Sequence, residues 1–125
     1  MDYNDGTALY QKLINDSTIT ALTTAIYRAR IIPESESSLE TVNIYPTSFN
    51  GGLEYFQRDW SVDCRSENEY TSQSISTAVY NVFNRANFTY DGKTYYTVVS
   101  VLGTIPPIDD TDVYNTPVTV SLRRR

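Results

Sequence analysis

Phe56-Gln57-Arg58-Asp59-Trp60-Ser61-Val62-Asp63-Cys64-Arg65 runs straight into Ser66-Glu67-Asn68-Glu69-Tyr70 and on to Phe83. The first ten residues alternate. Phe56, Trp60, Val62 and Cys64 fall on one side, and Gln57, Asp59, Ser61, Asp63 and Arg65 on the other, as in a half-buried β-strand. Arg58 interrupts the apolar side, so the strand is expected to begin beyond the edge of the core. The period then changes. Ser66 with Glu69 three residues on fits a helix-capping box. Ile75, Ala78, Val79, Val82 and Phe83 follow at the spacing of a single helical stripe. An apolar strand face followed by an apolar helix stripe needs a layer in which each covers the other.

Further elements lie on both sides. Upstream, Leu9, Leu13 and Ile14, joined by Tyr10, predict a short helix over residues 7–15, with Asp5, Gly6 and Thr7 supplying turn and capping chemistry before it. Ser17 can cap one weak further turn through Leu22. Ile26 to Ile32 reads as a strand ended by Pro33 and the run Glu34-Ser35-Glu36-Ser37-Ser38. Glu40 to Tyr45 reads as a second strand closed by Pro46. Residues 46–54 then read as a loop with a Gly51-Gly52 tip. Downstream, Phe88-Thr89-Tyr90 and Lys93-Thr94-Tyr95-Tyr96 flank Asp91-Gly92, the dipeptide of a type I′ hairpin. Ile105 to Asp112 forms a loop that is stiff at Pro106-Pro107 and acidic at its end. Val113 to Leu122 is a final strand, and Pro117 within it predicts a sheet edge or a bulge. The fold class is therefore α+β, a mixed and mainly antiparallel sheet with two α-helices on one face. At 125 residues the chain is expected to be a single domain.

Composition narrows the chemistry. The chain has no histidine and one cysteine, which removes the commonest general base and the usual zinc patterns. No phosphate-cradling glycine loop and no nucleophile elbow occurs. Asp109, Asp110 and Asp112 are the tightest acidic cluster, and they read as a solvated loop. Cys64 reads as a small buried hydrophobe rather than a reactive thiol. No cofactor or metal is expected, and the chain does not read as an enzyme. The net charge of −5 argues against a nucleic-acid grip. The polar, acidic start and the lack of a long apolar run predict cytosolic synthesis and no membrane partner. The eleven tyrosines suit either a decorated sheet or protein interfaces.

Taken in order, several stretches resemble the tail-terminator, or tail-completion, proteins of long-tailed bacteriophages, the minor tail protein U type. They are Thr7 to Leu22, Ile26-Tyr27, Trp60-Ser61-Val62-Asp63-Cys64-Arg65-Ser66 with Glu69-Tyr70, and Asp110-Thr111-Asp112-Val113-Tyr114 to Leu122. Two features depart from that pattern. The segment after the first strand is Ser/Glu-rich where the family is proline-rich, and Arg123-Arg124-Arg125 has no counterpart. The resemblance implies a virion protein, assembled in the host cytoplasm, that forms a ring of six at the head-proximal end of a tail tube. It would stop tube growth and join the tail tube protein to a neck or head-completion protein, with DNA passing through its lumen without tight binding. A head-completion or stopper subunit is the neighbouring alternative. A small carboxylate-based enzyme or ligand-binding domain is the alternative of another class. Phe49, Leu53 and Tyr55 beside the Gly-Gly tip, Pro107 and Ile108 in the stiff loop, and Arg123 and Arg124 at the end are the candidate subunit or tube contacts.

Overall fold

The computed structural model describes residues 3–23, 25–28, 40–51, 56–107 and 112–124. The strand Phe56–Ser66 is its spine. In chain order the elements are helices α1 (Tyr3–Ile14) and α2 (Ser17–Leu22), strands β1 (Ala25–Arg28), β2 (Thr41–Gly51) and β3 (Phe56–Ser66), helix α3 (Glu69–Phe83), and strands β4 (Ala86–Tyr90), β5 (Lys93–Val101), β6 (Tyr114–Asn115) and β7 (Val118–Arg124). The sheet runs β1-β2-β3-β7-β5-β4, with β6 also beside β3. Only β1 and β2 pair in parallel; the other pairings are antiparallel. The fold is α+β, as the alternation and the stripe require, with short α2 as a third helix. Among the described residues no helix is long and apolar enough to cross a membrane.

The core forms where the two periodicities meet. Trp60 and Val62 of β3 lie level with Val120 and Val118 of β7, Val62 and Cys64 with Ile44 and Val42 of β2, and Leu122 of β7 continues the same face opposite Arg58. All these apolar residues are buried against Leu9, Leu13, Ile75, Val79 and Phe83 of α1 and α3. Val82, expected in the stripe, packs against this core half-buried. Cys64 is fully buried, and desolvation, reinforced by the neighbouring Asp63, pushes its thiol well above the ordinary range. It is an inert core residue. The hairpin also forms as read: Asp91 and Gly92 have φ of 52° and 75°, the pair a type I′ turn needs.

Six local expectations are corrected. β2 does not stop at Pro46; it runs to Gly51, with a register shift between Pro46 and Ser48. β1 covers β2 only from Thr41 to Ile44. Among the described residues, then, no strand on that side needs the N–H that Pro46 lacks. The loop expected from residue 46 is therefore one arm of a β2–β3 hairpin. Pro117 marks no edge either, because β7 lies between β3 and β5. The strand instead breaks into β6 and β7 around Thr116-Pro117. There the Cys64 N–H donates to Asn115 Oδ1 at 3.1 Å, and the Thr116 N–H donates to the Cys64 carbonyl at 3.0 Å. Both backbone groups of Cys64 are thus satisfied across the break.

Helix α1 begins at Tyr3, so Asp5 and Gly6 lie inside it rather than before it. The cap of α3 is Asn68, whose side chain accepts from the Thr71 N–H at 3.1 Å, while Ser66 Oγ accepts from the Asn68 N–H at 3.0 Å. The α2 cap is Asp16, not Ser17, accepting from the Ile19 N–H at 3.0 Å. Arg58 does not project past the core: it is only 9% exposed, with its guanidinium 5.1 Å from the Trp60 ring centroid. The first turn of α1 approaches this part of β3, with Gly6 close against Cη2 of the Trp60 ring.

Candidate functional site

The pairing registers give the sheet two chemically different ends. At one end lie the start of β3, the end of β7 and the start of β5, since Phe56, Arg124 and Tyr95 are level with one another. The start of α1 meets them there. Asp5, fully buried in the first turn of α1, accepts a hydrogen bond from the Tyr95 hydroxyl at 2.9 Å, and Arg124 Nε lies 3.3 Å from the same carboxylate oxygen. Burying a carboxylate is costly unless it is paired and hydrogen-bonded, and here both conditions are met. Arg28, the last residue of β1, donates to Thr7 Oγ1 at 2.7 Å. Beside this cluster a cleft of about 700 Å3 opens, lined by Gln57, Asn87, Tyr96, Arg123 and Arg124.

The opposite end gathers the close of β3, the start of α3, the segment after β5, and β6. A chain of hydroxyls fastens it. Ser72 Oγ donates to the Cys64 carbonyl at 2.7 Å and lies 2.8 Å from Thr116 Oγ1, which is 3.0 Å from Thr104 Oγ1. Gln73 Nε2 donates to Thr104 Oγ1 at 3.0 Å. On this fixed frame Tyr70 is 77% and Leu102 84% exposed, with Val101 and Ile105 also open to solvent. Glu67, Glu69 and Asp112 are exposed beside them. The strand face away from the helices is polar. Tyr45 donates to Asp63 Oδ2 at 3.1 Å, Ser61 donates to Asp63 Oδ1 at 3.3 Å, and Ser121 donates to Asp59. Desolvation, with Asp63 alongside, pushes the Tyr45 phenol up, so it remains a donor.

The expected contact residues fall at both ends. Phe49 lies in β2 opposite Arg58 rather than in a loop. Arg123 is exposed at the end of β7, and Arg124 is tied to its own chain through Asp5. Pro107 lies at the other end, after the bridge between Ile105 and Asn115. Leu53, Tyr55 and Ile108, together with Asp109 and Asp110, lie outside the described residues. Sequence reasoning passed over Tyr70 and Leu102. Tyr70 does carry a signal, because it sits off the Ile75–Phe83 stripe and its ring has no place in the core.

This arrangement offers charge and apolar surface, not reactive groups. Among the described residues no three His, Cys, Asp or Glu side chains gather to hold a metal. Among the described residues the cleft is lined by Gln57, Asn87, Thr94, Tyr95, Tyr96, Arg123 and Arg124, with no carboxylate pair. No family model matches the chain, and no curated protein matches it. Among solved structures, the fold is similar to a chain from the virion of a native gene transfer agent particle, at TM-score 0.69 and 14% identity over 93% of this chain and 90% of that one. At that identity the likeness is one of fold.

Proposed function

We propose that this chain is a structural subunit of a phage-like virion, a ring-forming protein at the head-proximal end of a tail tube that stops tube growth and joins tail to neck. The observation that carries the reading is the near end-to-end match of the fold to a chain of a gene transfer agent virion. The sequence resemblance to tail terminators points the same way. The two-ended surface supports it physically, since a closed ring of identical subunits needs two different patches per subunit. The described parts of the segments expected at contacts include Gly51, level with Phe56, and Ile105, bridged to Asn115 beside Arg65, so they reach opposite ends of β3, about 30 Å apart at about 3.3 Å per residue. A globule of 125 residues is roughly 35 Å across, and six touching in a ring leave a hole about as wide as one subunit. A duplex passes through such a hole. Six copies at −5 apiece carry about −30 together, a field that repels phosphate. The assembly partners are then further copies, the tail tube protein and a neck protein.

The test is light scattering of the purified protein, followed by incubation with polymerised tail tubes. A species about six times 14.2 kDa that binds one tube end and blocks elongation is expected. Binding to a neck complex without binding to tubes would assign the chain to the head-completion side instead. The Phe49→Ser/Leu53→Ser variant, if its melting shows it folded, is expected to lose ring formation or capping. Rings and tails of normal length from that variant would place the contact elsewhere on the sheet.

A further inference from the structure

Among the described residues the two ends carry opposite charge. The cleft end carries Arg28, Arg58, Arg123 and Arg124 against buried Asp5 and half-buried Asp59, the latter accepting from Ser121, with Asp91 and Lys93 offsetting each other at the hairpin turn. Arg58 is nine-tenths buried, and its Nε has no hydrogen-bond partner. Its stacking on Trp60 leaves that charge uncompensated by any ion pair among the described residues. The N-terminus of twelve-residue α1 adds a partial positive charge at the same end. The other end carries Glu67, Glu69 and Asp112 on its surface, with Arg65 the base nearest to them. Tyr114 pairs with Ser66, which places Asp112 within a few residues of Glu67 across the β3–β6 ladder.

We propose that copies of this chain bind one another head to tail, with Glu67, Glu69 and Asp112 of one copy seated at the Arg123 side of the cleft of the next. This rests on the ring reading above and names its contact. The occupant follows from charge and shape together. Copies that each carry −5 repel unless they meet with unlike patches facing. End-to-end docking does that, whereas the polar sheet face, with acids and bases mixed, offers no such bias. Tyr70 and Leu102, the two most exposed large apolar side chains, sit beside the acids. They supply the desolvated centre that a charged rim alone lacks. The contact uses a different surface on each partner, so repetition closes a ring or extends a filament.

The experiment is a charge swap. Arg123→Glu puts an acid at the contact position of the cleft end, opposite an acidic partner, and Glu67→Arg/Glu69→Arg makes the other end basic, opposite Arg123. All three side chains are exposed, so both variants should melt with the wild type. By light scattering and native mass measurement, each variant alone should need at least about tenfold more protein to assemble. A one-to-one mixture should regain the wild-type mass with the two variants in equal number, since each basic end then meets an acidic one. Assembly of either variant at wild-type concentrations, or a mixture that stays monomeric, overturns this contact while leaving a wild-type ring in place. A wild-type protein that remains monomeric and does not cap tubes overturns both the contact and the ring.

Discussion

Gly6 lies inside α1, where an alanine would ordinarily stabilise the helix by about 1 kcal/mol. Its surroundings reverse that expectation. A Cβ at this position would come to 2.8 Å from Trp60 Cη2 and closer still to Arg28 Nη2. The arginine tip can swing away, at the cost of its hydrogen bond to Thr7. The indole cannot, because Trp60 is 4% exposed in a filled core. Overpacking of this kind costs about 1–3 kcal/mol, and the lost hydrogen bond about 1 more. After the propensity gain is set against these, Gly6→Ala is expected to destabilise by about 1–3 kcal/mol. For a chain of this size that lowers the melting temperature by about 5–15 °C. Thermal melting and urea titration read the effect, with an unchanged m-value showing that the denatured state is the same. In an Arg28→Ala background the penalty should shrink but persist, since the tryptophan contact remains. A Gly6→Ala protein more stable than wild type would refute the close approach of α1 to β3.

Phe83 is fully buried at the end of α3, and Phe83→Ala is expected to cost about 3–5 kcal/mol, read as a fall in the urea midpoint; an unchanged midpoint would mean that α3 is not docked on the sheet. At physiological salt the protein should bind duplex DNA weakly or not at all in a gel-shift titration, as its charge of −5 implies, and a tight, salt-sensitive complex would contradict the free-passage lumen.

What was legible in the sequence was whatever short-range chemistry decides. The alternation of β3, the stripe of α3 and the Asp91-Gly92 turn each carry their own signal, and each formed. The misreadings share a cause. Pro46 and Pro117 withhold a backbone donor, but whether that matters depends on which strand lies alongside, and the parallel β1–β2 pair and central β7 are not local facts. Asp5 and Gly6 look like turn and capping chemistry ahead of a helix until Tyr95, Arg124, Trp60 and Arg28 converge on them from four different strands. Ser66 and Asn68 both had capping chemistry, and both use it, one residue pair apart from the expected box. The candidate contacts were harder still. Arg123, Glu67 and Tyr70 acquire meaning only when the register places the end of β7 and the start of α3 at opposite ends of β3.

The same placement explains why four arginines near one end need not make a phosphate-binding patch. Phosphate binding draws on solvent-accessible cations that can release counterions from the duplex. Arg124 is held against Asp5, Arg28 donates to Thr7, and Arg58 lies on the Trp60 ring. Lys12, on the neighbouring helix face, lies 5.0 Å from the Phe88 ring centroid. Arg28 and Arg123 are the exposed arginines of this group. Two accessible cations, one of them engaged with Thr7, are a weak hold on DNA for a chain of net −5, whereas Arg123 is suited to meet a carboxylate in the proposed contact. Buried Arg58 and partly buried Arg124 contribute through the field they set up at the cleft, which lowers the cost of bringing an acidic surface there. In the proposed assembly net charge and local charge do different work: the first keeps nucleic acid at a distance, and the second orients one copy against the next.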